Sequence, residues 1–401
     1  MLKYKLLPES TFPNKLICCF PFLSLISRRK HNDLFPTIRT LIPPNCAIPI
    51  KYFEVKNLRD LVSKNGGPQI RIIDCLAYGA EAVVFRILYK NQSMIMKVYT
   101  DNAQKNPTMY KVKYISEENI HPYLKKHIQT SSFQYECSLG NPNIVKTEFL
   151  AMIQRKGKIV FAKIQEQWDG DLCYFANNKF LCLSEKKKKL FIMHLIRDIS
   201  RALSTIHGKN KTFFDLKPHN IAVKKNKNNK NGQYTSGLFD FGSITNEESL
   251  DNISNTDHLF TVFYAAPNVL LACLFSEDDN DVSVKINKAT DLFSLFLIVL
   301  ELASETEISK IYSMIFNNDP STQINEMEFI NEVAKQITSN NSISEWYLNK
   351  LTEYAKSIFV NYGSDFFDKI ILPMINSSRE EITAQDLFEN INHSIDNCTS
   401  N

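Results

Sequence analysis

Three side chains that could do chemistry stand close together in the run Phe213-Phe-Asp-Leu-Lys-Pro-His-Asn220: the carboxylate Asp215, the ammonium Lys217 and the amide Asn220, at i, i+2 and i+5. Further on, the short apolar run Leu238-Phe-Asp-Phe-Gly242 ends on a second carboxylate, Asp240, and a glycine. A carboxylate can orient and deprotonate a hydroxyl, and a lysine can steady phosphate charge. Asn220 and Asp240 offer the hard oxygens that Mg²⁺ prefers. Together they suit phosphoryl transfer, in which positioning and charge neutralisation do most of the catalysis. Singly, each has a plainer reading: Asp215 and Asn220 can cap a turn, and Asp240 can close a loop. The ordered set carries the argument.

The elements around these residues fit that chemistry. Ile192, Leu195, Ile196, Ile199, Leu203 and Ile206 recur at helical spacing between Ser184, a candidate N-cap, and Gly208, a candidate stop. This predicts a core helix that delivers the chain to Phe213. Upstream, the β-rich runs on either side of Tyr78-Gly-Ala-Glu-Ala82 predict two strands joined by a small-residue turn, whose backbone could approach phosphates closely. Ser93-Met-Ile-Met-Lys-Val-Tyr99 predicts a further strand carrying Lys97, which would reach the same phosphates, although a lysine can also simply snorkel from a strand edge. Asp291-Leu-Phe-Ser-Leu-Phe-Leu-Ile-Val-Leu-Glu301 is apolar between its two acids and too short to span a bilayer, so it predicts a buried helix.

The ordered motifs resemble those of eukaryotic-type protein kinases, whose catalytic loop reads H-R-D-x-K-x-x-N and whose metal segment reads D-F-G. Thr261, Tyr264, Ala266 and Pro267 match the T-x-x-Y-x-A-P-E segment, and Asp291 and Ser294 match the D-x-W-S-x-G helix. The resemblance implies an α+β, bilobal kinase-like fold with a small β-rich N-lobe over residues 66–166 and a larger, mainly helical C-lobe over 167–396. An extension of unassigned function covers residues 1–65. It further implies ATP as phosphoryl donor, Mg²⁺ (or Mn²⁺ in its place) on Asn220 and Asp240, and serine or threonine hydroxyls of a protein substrate as acceptors. Asp215 would be the base, with Lys217 and Lys97 as the cations. Nucleotide contacts would come from Gly79, Ala80, Glu81, Ala82, Val84 and Lys97, from backbone near Glu166 in the strand-to-turn segment Ile159–Leu172, and from a helix glutamate. For the last, Glu136 is the nearest acid upstream of the landmark Asn141-Pro-Asn-Ile-Val145, with Glu117 and Glu118 as alternatives. Family spacing falls near Ser132.

The departures from the family pattern matter. Ala77 and Ala82 replace two loop glycines, Ile95 stands where a small residue meets adenine, and Phe213-Phe214 replaces His-Arg. Without that arginine, activity should not depend on a phosphate in the activation segment. Asn268 replaces the glutamate of A-P-E, and Glu381 stands where its arginine partner would be, so both ends of that pair are changed. These departures motivate two rivals: a pseudokinase scaffold and a small-molecule kinase of the same fold.

Composition bounds the remaining classes. The chain has 401 residues, 44% of them hydrophobic, enough for two cored regions. A formal charge of +4 gives little reason to expect nucleic-acid binding. Nine cysteines without a C-x-x-C pair argue for a reducing, cytoplasmic setting rather than a disulfide framework. The apolar run Lys15–Ile26 is half the length of a span, is interrupted by Pro21, and is followed by Arg28-Arg-Lys30 rather than a cleavage site. An extension that packs on the domain or stays disordered is the plainer expectation for it; acylation of Cys18 or Cys19 at a membrane is the alternative. Oligomeric state is not legible.

Overall fold

The computed structural model describes residues 38–42, 71–78, 82–89, 91–101, 111–112, 120–155, 158–226, 233–246, 261–267, 269–270, 287–317, 321–335, 345–377 and 382–399. They divide into two compact units. One holds the described residues before Gly140 together with Val145–Gln167; the other holds Gly140–Ile144 and the described residues from Trp168 onward. The first is built on a β-sheet and the second is mostly helical, the α+β arrangement of a kinase-like fold.

The sheet unit contains β1 (Ile38–Ile42), β2 (Arg71–Tyr78), β3 (Ala82–Tyr89), β4 (Gln92–Asp101), β5 (Lys111–Val112), helix α1 (Ile120–Ser138), β6 (Thr147–Arg155) and β7 (Lys158–Glu166). The strand order is β1-β6-β7-β4-β3-β2, with β5 paired to β4. Alternation along β3 and β4 buries Phe85, Ile87, Met94 and Met96 on one face. Val84, Ile95 and Lys97 occupy the other face, and Lys97 is opposed by Val84 on β3 and by Lys163 on β7. Arg86 and Asp74 pair across β3 and β2.

In the helical unit, β8 (Gly170–Asp171) leads into α2 (Leu172–Asn178), which Asp171 caps by accepting the Tyr174 N–H at 2.7 Å. Helix α3 (Glu185–His207) begins and ends where the periodicity predicts, although Ser184 makes no side-chain capping bond. Its six periodic apolar residues are all buried. Of the lysine run in its first turns, Lys186 and Lys187 are exposed, whereas Lys188 is buried and paired with Glu185 and Glu305. Two short strands follow, β9 (Lys211–Thr212) and β10 (Ile221–Lys225), then β11 (Tyr234–Leu238) and β12 (Thr245–Asn246). β10 lies between β11 and β8, and β12 pairs with β9. Helix α4 (Ala289–Ser304) is buried at every residue from Thr290 to Leu300, as its all-round apolar pattern requires. Helices α5 (Ile308–Asn317), α6 (Glu326–Lys335), α7 (Glu345–Phe359) and α8 (Ala384–Thr399) complete the described helices of regular length, with a short helical run between residues 364 and 375.

Gly237 is required by close approach: a Cβ there would lie 2.6 Å from the Trp168 ring and 3.1 Å from the Asn143 backbone. The contact is the closure of β11 against the 140–144 segment, where Leu238 donates its N–H to the Asn143 oxygen at 2.9 Å. Lys224 covers the same indole, its ammonium 4.0 Å from the ring centroid.

His194, inside α3, is 5% exposed, and burial, helped by the charge of Arg197, lowers its pKa to about 4. The unfolded chain binds the proton below pH ~6.5 while the folded one does not, so this contribution is complete above that pH and is lost as pH falls towards 4. The loss amounts to about 3 kcal/mol. Urea denaturation between pH 7 and 4.5 should show this slope, and His194→Leu should remove it. Parallel profiles for the two proteins would refute the assignment.

Candidate active site

The helical unit assembles its polar site around the segment between β9 and β10. Asp291, in the first turn of α4, is fully buried and accepts three hydrogen bonds. Its Oδ2 receives the Phe213 N–H and His207 Nε2, and its Oδ1 receives the Phe214 N–H, all at 2.8 Å. Phe214 adopts the left-handed region at φ 73°, which costs a side-chain-bearing residue about 1–2 kcal/mol. The bonds to Asp291 hold that conformation. Both aromatic side chains are buried, with Phe213 edge-on to Phe241 at 5.4 Å between centroids. An apolar ring thus fills each position of the expected His-Arg pair.

The turn brings Asp215 to the centre of a hydrogen-bonded group. Oδ1 accepts the Thr261 N–H at 3.1 Å and the Thr261 hydroxyl at 3.3 Å. Oδ2 lies 2.7 Å from Lys217 Nζ and 3.2 Å from Asn220 Nδ2. Lys217 also donates to Thr261 Oγ1 at 3.0 Å, and Asn220 Nδ2 to the Asp215 carbonyl at 2.8 Å. Asp215, Lys217, Asn220 and Thr261 therefore form one network. Thr261 is the contributor whose hydrogen bonds to the carboxylate no sequence pattern predicted.

Asp240 follows β11 in the left-handed region at φ 61°. The residue before it, Phe239, donates its N–H to the Asn220 carbonyl at 3.1 Å, so the loops carrying Asn220 and Asp240 are tied side by side. With Asn220 Nδ2 committed to Asp215, its Oδ1 is the atom available to a metal ion. One amide oxygen and one carboxylate are a hard-oxygen set that fits Mg²⁺, an ion that keeps waters or phosphate oxygens for its other positions. Among the described residues no three His, Cys, Asp or Glu gather into a metal-binding cluster.

Behind the loop lies a cavity of about 40 Å³, walled by α2 residues Leu172 and Cys173 with Pro218, His219, Tyr264 and Glu301. Burial raises the Glu301 carboxyl above its usual range and pushes the Cys173 thiol up to about 12. Glu301 accepts the Tyr264 hydroxyl at 2.6 Å, and Ser294 bonds the Tyr264 carbonyl at 2.7 Å, fixing the segment after Thr261 to α4. Burial lowers the His219 pKa and raises that of Asp171.

In the sheet unit, Lys97 and Val84 are cross-strand neighbours, while Gly79, Ala80 and Glu81 lie outside the described residues, as do Glu117, Glu118, Asn268 and Glu381. Ala82 opens β3. Glu166 ends β7 with its N–H given to the Lys146 carbonyl and its Oε1 accepting the Lys146 N–H, both at 3.0 Å. Glu136 sits on the exposed side of α1. Gln134, two residues and about 200° of helical rotation away, is buried and bonds Lys163 of β7.

A family model described as a protein kinase domain matches residues 94–388, from the strand bearing Lys97 to helix α8. Three curated proteins are similar at low identity. The membrane-associated tyrosine- and threonine-specific cdc2-inhibitory kinase of Drosophila melanogaster is 25% identical over 45% of this chain and 31% of its own length. A probable serine/threonine-protein kinase of Dictyostelium discoideum is 25% identical over 52% of this chain and 38% of its own. The cyclin-dependent kinase 4 homolog of Caenorhabditis elegans is 24% identical over 63% and 58%. The chain thus spans between about a third and three fifths of the curated relatives it matches.

The Asp291 carboxylate can be tested by removal. Asp291→Ala would leave the Phe213 and Phe214 amides buried without acceptors, at about 1–3 kcal/mol each. We expect a loss of about 3 kcal/mol or more in chemical denaturation. A loss below 1 kcal/mol would show that the loop is held by other contacts.

Proposed function

We propose a reaction for a chain that belongs to the protein kinase family, as the match over residues 94–388 shows: transfer of the γ-phosphoryl group of ATP to serine or threonine hydroxyls of a protein substrate. The observation that carries this reading is the single hydrogen-bonded network of Asp215, Lys217, Asn220 and Thr261. A carboxylate so placed can accept the acceptor hydroxyl's proton as its oxygen attacks the γ-phosphorus and the bond to the β–γ bridging oxygen breaks. Lys217, 2.7 Å from that carboxylate, steadies the charge on the group in transit. Lys97 binds the α and β phosphates. Asn220 and Asp240 hold Mg²⁺, which when bound supplies charge neutralisation on the phosphate oxygens.

Specificity for serine and threonine is supported by the resemblance of Lys217 and Thr261, hydrogen-bonded to each other at 3.0 Å, to the pattern of serine/threonine kinases. One similar protein is named as tyrosine- and threonine-specific and another as a serine/threonine kinase. The buried Phe214, where the family has an arginine, supports activity that needs no phosphate on the activation segment.

Transfer of ³²P from γ-labelled ATP with Mg²⁺ to a generic basic protein, followed by phosphoamino acid analysis, tests the reading. Label on serine or threonine should fall by about 10²–10⁴-fold in Asp215→Asn. Equal label in both proteins would remove Asp215 from the reaction, and label on tyrosine alone would overturn the acceptor class.

A further inference from the structure

On the sheet face that carries Lys97, the directly opposed residue of β7 is a second lysine, Lys163. Cross-strand partners share a face with Cβ atoms about 5 Å apart, and like charges placed there repel. Lys163 is only 3% exposed, so water does little to screen its charge. It donates from Nζ to Gln134 Oε1 at 2.6 Å, and Gln134, itself fully buried, donates from Nε2 to the Val145 carbonyl. One amide of α1 therefore ties the helix to β7 and to the chain entering β6.

The surroundings are unusually polar for a helix-on-sheet interface. Ser131, Thr147 and Gln165 are buried beside this tether, and Ser131 Oγ, Ser132 Oγ, Thr147 Oγ1 and Gln165 Nε2 lack hydrogen-bond partners. Apolar residues of similar volume would be at least as stable at such a place. Lys163 instead places an ammonium on the face that carries Lys97.

We propose that Lys163 and Gln134 are positioning residues for Lys97. The Gln134 bond fixes the Lys163 charge one strand away, and that fixed charge directs the Lys97 ammonium towards the nucleotide phosphates and raises the positive potential they meet. This rests on the reading of Lys97 as a phosphate-binding residue.

The test uses the full chain, with Lys163→Met, Lys163→Arg and Gln134→Leu compared in steady-state transfer, thermal unfolding and amide hydrogen exchange. Lys163→Met should raise KM for ATP about tenfold, the scale of one charge-assisted hydrogen bond, with kcat within about threefold. Its Tm should fall, because methionine leaves the buried Gln134 Oε1 without its donor; the change in KM is the readout that a structural tether alone would not move. Lys163→Arg should keep KM close to wild type, and Gln134→Leu should speed exchange over residues 131–138. A Tm that falls while KM stays fixed would reduce Lys163 to a structural tether and overturn the proposal. If the wild type binds no ATP by titration, the kinase reading itself fails. Amide exchange then decides the tether: unchanged protection of residues 131–138 in both Lys163→Met and Gln134→Leu overturns it.

Discussion

The buried carboxylate of Asp291 is the constraint on which the catalytic segment depends. Two backbone amides and an imidazole converge on it at 2.8 Å, and it is the reason a residue as large as Phe214 can sit in the left-handed region. A buried charge is costly unless its oxygens are occupied, and here each oxygen has a donor. The geometry propagates: once Phe213 and Phe214 are pinned, the next residue is Asp215. The turn through Pro218 then brings Asn220 back to bond both the carbonyl and the carboxylate of Asp215.

The same economy appears where strands meet the loop. Leu238 bonds the Asn143 carbonyl and Phe239 the Asn220 carbonyl, so β11 is registered on both sides before Asp240 leaves it. Asn143 gives its side-chain amide to Ser236, and Asp198 of α3 accepts the Ser236 N–H. No side chain fits at Gly237 because Trp168 and Asn143 close over it. Side-chain amides and buried carboxylates thus satisfy backbone groups that short strands cannot.

Much of this was legible in the residues. The periodicity of α3, the all-round apolar character of α4 and the spacing of Asp215, Lys217 and Asn220 are local patterns, and the elements appear where those patterns place them. What could not be read is pairing between residues distant in sequence. Thr261 reaches Asp215 across 46 positions and His207 reaches Asp291 across 84; neither partner is signalled locally. The sheet unit was the least legible. Proximity to a landmark favours Glu136, and no local pattern signals the buried Gln134 two residues before it. Lys163 carried one signal, a lysine inside the otherwise apolar run Ile159–Ile164.

Through their shared hydrogen bonds, Asp215 and Thr261 are proposed to act as one unit in phosphoryl transfer. A double-mutant cycle of transfer rates with Asp215→Asn, Thr261→Ala and their combination tests it most directly, because groups acting together are strongly non-additive. The double variant should be no slower than Asp215→Asn alone. Multiplicative losses, or a wild type no faster than the double variant, would contradict it.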